Sequence, residues 1–127
     1  MRELKKIMHV EDDPDIREIS RMSLELVGGF EVTQFVCGKD AVDNAPEEAP
    51  DMILLDVMMP IMDGIETFHH LRKRENYANV PIIFVTAKAS LADFSQLRSM
   101  GATEVILKPF EPMELPNQLQ EIWKSCN

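Results

Sequence analysis

The stretch Met52-Ile53-Leu54-Leu55-Asp56 decides the fold. Four apolar residues run without a polar break and stop on a carboxylate. A strand with one wet face would alternate, so an unbroken short run belongs to a strand covered on both faces. Ile82-Ile83-Phe84-Val85 repeats the pattern. Lys6-Ile7-Met8-His9-Val10 and Glu104-Val105-Ile106-Leu107 are further strand candidates, and the alternating stretch from Phe30 to Val36 suits an edge strand.

Helical signals fill the gaps. Asp13 can cap a helix that begins at Pro14. Ile16, Ile19, Leu26 and Val27 are expected on its inner face, and Gly28-Gly29 ends it. A short helix near Asp40–Asn44 is stopped by Pro46 and Pro50. Residues 64–74 carry Ile65, Phe68 and Leu71 at helical spacing. Ser90 and Asp93 form a capping-box-like pair for a helix that closes near Gly101. The last helix is expected to start around Pro112, with Leu115, Leu119, Ile122 and Trp123 on one stripe. Pro116 removes a backbone donor there, so a kink or a late start is expected. Strand–helix alternation repeated five times implies an α/β fold: a doubly wound five-stranded parallel sheet with five helices. The flavodoxin-like order 2-1-3-4-5 is the expected one.

The chain has 127 residues, 45% of them hydrophobic, which suits a single domain over 1–127 with a real core. No run of about 18 apolar residues exists, and the N-terminus lacks a cleavable-signal pattern. The formal charge of −9 argues against direct nucleic-acid binding. The basic run Arg72-Lys73-Arg74 reads as a solvated helix end. Cys37 and Cys126 are too few for a disulfide scaffold, so a cytoplasmic setting is expected. His9, His69 and His70 read as structural or solvated, and the methionines as core filler.

In open parallel sheets, ligands bind beyond the carboxyl ends of the strands. Glu11 and Asp12 follow the first strand, Asp56 the third, Thr86 the fourth and Lys108 the fifth. Three acids at close range repel, and a hard dication removes the conflict. Mg²⁺ prefers oxygen ligands and usually takes one or two carboxylates plus a phosphate. Glu11 and Asp12 can anchor it, leaving Asp56 as ligand and nucleophile. Lys108 and the Thr86 hydroxyl can stabilise charge on a transferring phosphoryl group. Asp13 and Asp15 flank Pro14 and read as helix-start charges.

The chain resembles the receiver domain of two-component response regulators, the CheY-like fold, over nearly all of its length. The resemblance rests on Val10-Glu11-Asp12-Asp13-Pro14, Leu54-Leu55-Asp56-Val57-Met58-Met59-Pro60, Asp63-Gly64, Val85-Thr86-Ala87 and Leu107-Lys108-Pro109-Phe110. It implies a phosphoacceptor signalling domain rather than an enzyme. Asp56 would take a phosphoryl group from a histidine kinase or histidine phosphotransfer protein. Mg²⁺ would be held by Glu11, Asp12, Asp56 and the main-chain carbonyl of Met58. Lys108 would bond the phosphoryl group, and the Lys108–Pro109 peptide would be cis. Small Ala87 would leave room for the incoming group. Similar receivers often carry an aromatic residue three positions before the lysine, where this chain has Val105. A different packing change is then expected to carry the signal to the face built by the fourth helix, fifth strand and fifth helix.

Only Lys124-Ser125-Cys126-Asn127 follow Trp123, which reads as a natural single-domain end. The downstream partner is unnamed by the sequence, and both a monomer and a phosphorylation-dependent dimer remain open. A phosphorylation-independent docking module is the alternative reading, opposed by the full set of pocket groups. A haloacid-dehalogenase-like phosphatase would need an acid where Met58 stands. Met58 and Lys88 are expected to border the pocket and tune water access.

Overall fold

The computed structural model describes residues 2–87 and 90–126. Five strands, β1 (Lys6–Val10), β2 (Glu31–Phe35), β3 (Met52–Asp56), β4 (Ile82–Thr86) and β5 (Glu104–Leu107), form one sheet. Every neighbouring pair is parallel and the order is β2-β1-β3-β4-β5, as the strand–helix alternation predicts. The register sets Val10 beside Leu55, Asp56 beside Val85 and Thr86 beside Leu107. Their carboxyl ends are therefore level, and the segments leaving these strands meet at one rim.

The helices are α1 (Pro14–Met22), α2 (Gly38–Asn44), α3 (Gly64–Arg72), α4 (Leu91–Ser99) and α5 (Leu115–Cys126). Each central strand sends alternate residues to opposite sides. Met8, Val10, Ile53, Leu55, Ile82 and Phe84 pack with Ala41, Phe68, Leu71 and Leu97 of α2, α3 and α4. Ile7, Met52, Leu54, Ile83 and Val85 pack on the other side with Leu24, Leu115, Leu119 and Trp123. Covering on both sides is why β3 and β4 are buried at every position.

Two local expectations are corrected, the inner face of the first helix and the solvated basic run, and the late start of the last helix is borne out. The inner face of the first helix is not Ile16, Ile19, Leu26 and Val27. Ser20, Ser23 and Leu24 are buried, whereas Ile19, Leu26 and Val27 are exposed and Ile16 is half-buried. A π-helical turn over Ser23–Val27 comes after α1, with the Gly28 amide reaching back to the Ser23 carbonyl at 3.1 Å. The added residue per turn rotates the rest of the segment, so simple helical spacing assigns Leu26 and Val27 to the wrong side. The Ser23 hydroxyl, turned inward, donates to the Pro112 carbonyl.

The last helix starts at Leu115, after a turn over 112–114, which puts Pro116 in its first turn, where a missing N–H costs no helical bond. The basic run after α3 is not simply solvated. Arg72 Nη1 donates to the carbonyls of Tyr77 (2.8 Å) and Val80 (2.7 Å), and its guanidinium lies 4.9 Å from the Phe68 ring. Arg74 donates to the Ala45 carbonyl at 3.3 Å and lies over Tyr77. Both cations tie down the connection into β4.

At the amino ends of the strands, the buried Asp51 carboxylate accepts the amides of Lys5 and Lys6, both at 2.9 Å, and pairs with Arg2. Arg2 in turn lies over Trp123, whose indole N–H donates to the Arg2 carbonyl at 2.8 Å. Among the described residues, no helix is long and apolar enough to cross a membrane.

Candidate phosphoacceptor site

The rim is built from the chain segments that leave β1, β3, β4 and β5. The Glu11 amide still donates to Phe35 at 3.1 Å, so the residue continues the β1 ladder and its side chain is only 1% exposed. Asp13 then caps α1, its Oδ1 accepting the amides of Asp15 (2.9 Å) and Ile16 (3.2 Å). That commits Asp13 to the helix and leaves Glu11 and Asp12 facing the rim. Asp56 is the last residue of β3 and is buried. The Met58 amide donates to Asp56 Oδ1 at 3.3 Å, which folds the following loop over the carboxylate. Asp63 caps α3 through the Glu66 amide at 2.9 Å. Gly64 passes so near the strand end that a Cβ would sit 2.1 Å from the Asp56 carbonyl oxygen. Only glycine fits there.

One oxygen from each of Glu11, Asp12 and Asp56 lies within 4.8 Å of the other two. Lys108 reaches into the same space, with Nζ 2.7 Å from Glu11 Oε1 and 3.2 Å from Asp56 Oδ2. Burial opposes the charge on Lys108, but the two carboxylates outweigh it and its pKa rises. Burial also pushes Glu11 up to about 7; Lys108 pulls the other way and the facing Asp56 carboxylate adds to the rise. The ammonium thus partly compensates an acid cluster that repels itself. Burial, with Lys108 and Arg17 nearby, lowers the pKa of His9 to about 3 and keeps the imidazole neutral under the rim.

Thr86 closes β4 and is buried, and its carbonyl accepts the Lys108 amide at 2.8 Å. Ala87 comes next and lines a cleft with Lys108, Ile16 and Pro109. The Lys108–Pro109 peptide is cis. Met58 stands at the rim, 55% exposed. Lys88, expected to border the pocket, lies outside the described residues. Sequence reasoning missed Arg17. Its Nη1 donates to the carbonyls of Glu11 (2.9 Å) and Asp12 (3.3 Å), which fixes the backbone that carries both acids. An arginine four residues after a cap residue, one turn into the helix, was the available signal.

An open parallel sheet with this rim defines the CheY-like class of α/β signalling domains. A family model described as the response regulator receiver domain matches residues 7–120, and the chain belongs to that family. A probable transcriptional regulator, ycf27, of Guillardia theta is 34% identical over 123 residues, covering 97% of this chain and 47% of that protein. The uncharacterized transcriptional regulatory protein YrkP of Bacillus subtilis is 39% identical over 110 residues, covering 87% and 46%. The chain thus spans about half the length of the curated relatives it matches. Among solved structures, the chemotaxis response regulator CheY4 of Vibrio cholerae superposes with a TM-score of 0.86 at 31% identity, covering 94% of this chain and 99% of that one. The receiver domain of the Pseudomonas aeruginosa sensor histidine kinase PA1611 gives 0.82 at 32% identity, covering 94% and 98%; that structure has a magnesium ion coordinated in its active site cleft. This chain is therefore a receiver domain of two-component signalling.

Proposed function

We propose that Asp56 is the phosphoacceptor, with Mg²⁺ held beside it by Glu11, Asp12, Asp56 and the main-chain carbonyl of Met58. The observation that carries this reading is the meeting of three carboxylates within 4.8 Å with Lys108 already bonded to two of them. The donor set is all oxygen, which suits a hard dication. Bound Mg²⁺ would neutralise the acid cluster and polarise phosphoryl oxygens.

The donor is a phosphohistidine on a histidine kinase or phosphotransfer protein, met in the cytoplasm. A carboxylate oxygen of Asp56 bonds to phosphorus as the phosphorus–nitrogen bond breaks and the imidazole keeps the electron pair. Lys108 exchanges carboxylate contacts for a phosphoryl oxygen. The Thr86 hydroxyl donates to another, and Ala87 leaves space for the group. The domain catalyses its own phosphorylation and slow hydrolysis and turns over no other substrate. The product biases two pre-existing arrangements of the surface formed by α4, β5 and α5. Val105 lies buried beside Phe84, in the apolar cluster that also holds Leu97, so repacking around this aliphatic side chain replaces a swinging aromatic ring.

Beryllofluoride with Mg²⁺, followed by ¹⁹F NMR, tests the site. One adduct is expected on the wild type and none on Asp56→Asn; equal labelling of both refutes the reading and favours a phosphorylation-independent docking module. Met58 governs water access at the rim. After acetyl phosphate labelling, the Ala, Asn and Arg variants at this position are expected to differ severalfold in phosphoryl decay with little change in folding. Equal decay rates in all three would remove that role.

A further inference from the structure

The surface of α4, β5 and α5 holds a groove of about 830 Å³. Phe94, Leu107, Phe110 and Ile122 give it an apolar floor, and Leu107 is conspicuously exposed for a strand residue. Its charged lining is of one sign: Glu104, Glu111, Glu114 and Glu121 line it, and among the described residues no lysine or arginine does. Two cations are engaged by the groove's own glutamates. Arg98 pairs with Glu104, and Lys124 pairs with Glu121 at 3.5 Å. Glu111 and Glu114 form no ion pair among the described residues.

We infer that this groove receives a lysine- or arginine-rich amphipathic segment of a partner protein and does not pair with a second copy of this chain. The inference rests on the reading of this surface as the output face. A two-fold dimer through the groove would be isologous, setting each patch against itself. Glutamates would then face glutamates, with Arg98 and Lys124 each already paired within its own chain, and like charges across an interface suppress association. A segment with an apolar stripe flanked by cations meets both features: its stripe covers Leu107, Phe110 and Ile122, and its cations reach Glu111 and Glu114. The acid rim also speeds the encounter with such a segment.

Two synthetic helical peptides with the same leucine face test this, one flanked by lysines and the other by glutamates. Each is titrated into the full unmodified chain and followed by amide NMR, so the result stands whether or not Asp56 takes beryllofluoride. The lysine peptide is expected to shift Phe94, Leu107, Phe110 and Ile122. The combined variant Glu111→Lys, Glu114→Lys, Glu121→Lys is expected to bind it about tenfold more weakly and to gain the glutamate peptide. Glu114→Lys alone should move the same way by a smaller factor. Because the whole protein is acidic, Glu18→Lys on α1 with Glu25→Lys in the π-helical turn after it serves as the control and should leave affinity within about twofold. Equal weakening by the control pair, shifts centred elsewhere, or a sedimenting dimer whose interface maps to Leu107 and Ile122 would each overturn the inference.

Discussion

Glu11 is a carboxyl with almost no water around it, facing a second buried carboxylate across one ammonium. Its pKa is raised by burial from 4.5 to about 7, so between those values the folded chain keeps a proton that the unfolded chain has lost. Stability must then fall as pH rises through that window. In EDTA at pH 8, Glu11→Gln is expected to raise stability by about 1–3 kcal/mol, a gain that disappears near pH 4. Thermal melts at both pH values check it; a loss at pH 8 would mean that the Lys108 pairing outweighs burial. The acids themselves were legible, because each comes directly after an apolar run. Arg17 and Arg72 were not. Both act through main-chain carbonyls, and sequence pattern carries no mark of where a guanidinium will find an unpaired carbonyl.

The loop between β3 and α3 is held at Asp63 and Gly64 but strained at its crest. Ile61 has φ of 69° and is fully exposed, an unfavourable backbone for a β-branched residue that packs against nothing. Ile61→Asn, which tolerates that conformation, is expected to stabilise the fold by about 1 kcal/mol, read from the urea midpoint. No change would show that the loop relaxes without cost. Strands were the most legible elements, since burial on both sides leaves long apolar runs that few other structures produce. Helix caps at Asp13 and Ser90 were also readable, whereas the cap at Asp63 came only with the structure. The facing of the chain after α1 was not, because one π-helical turn at Ser23–Val27 breaks the periodicity on which the reading depended.

Across the molecule, chemistry sits at one end of the sheet and anchoring at the other. Asp51 gathers the Lys5 and Lys6 amides and Arg2, joining the entry of β1 to that of β3. Asp51→Ala leaves those amides without their acceptor and is expected to cost about 2–4 kcal/mol, with an unchanged urea m-value. A cost under about half a kcal/mol would make the cluster incidental. The sheet order and this polarity could be read from strand–helix alternation; the anchoring cluster could not, because Asp51 reads in sequence as an ordinary loop acid before a strand. The single indole of the protein is fastened into that quiet end, its N–H on the Arg2 carbonyl and a guanidinium over its ring. Its fluorescence will therefore track whether the chain is folded, and because Trp123 belongs to α5 any change on phosphoryl loading would gauge how far the rearrangement travels down that helix from the rim.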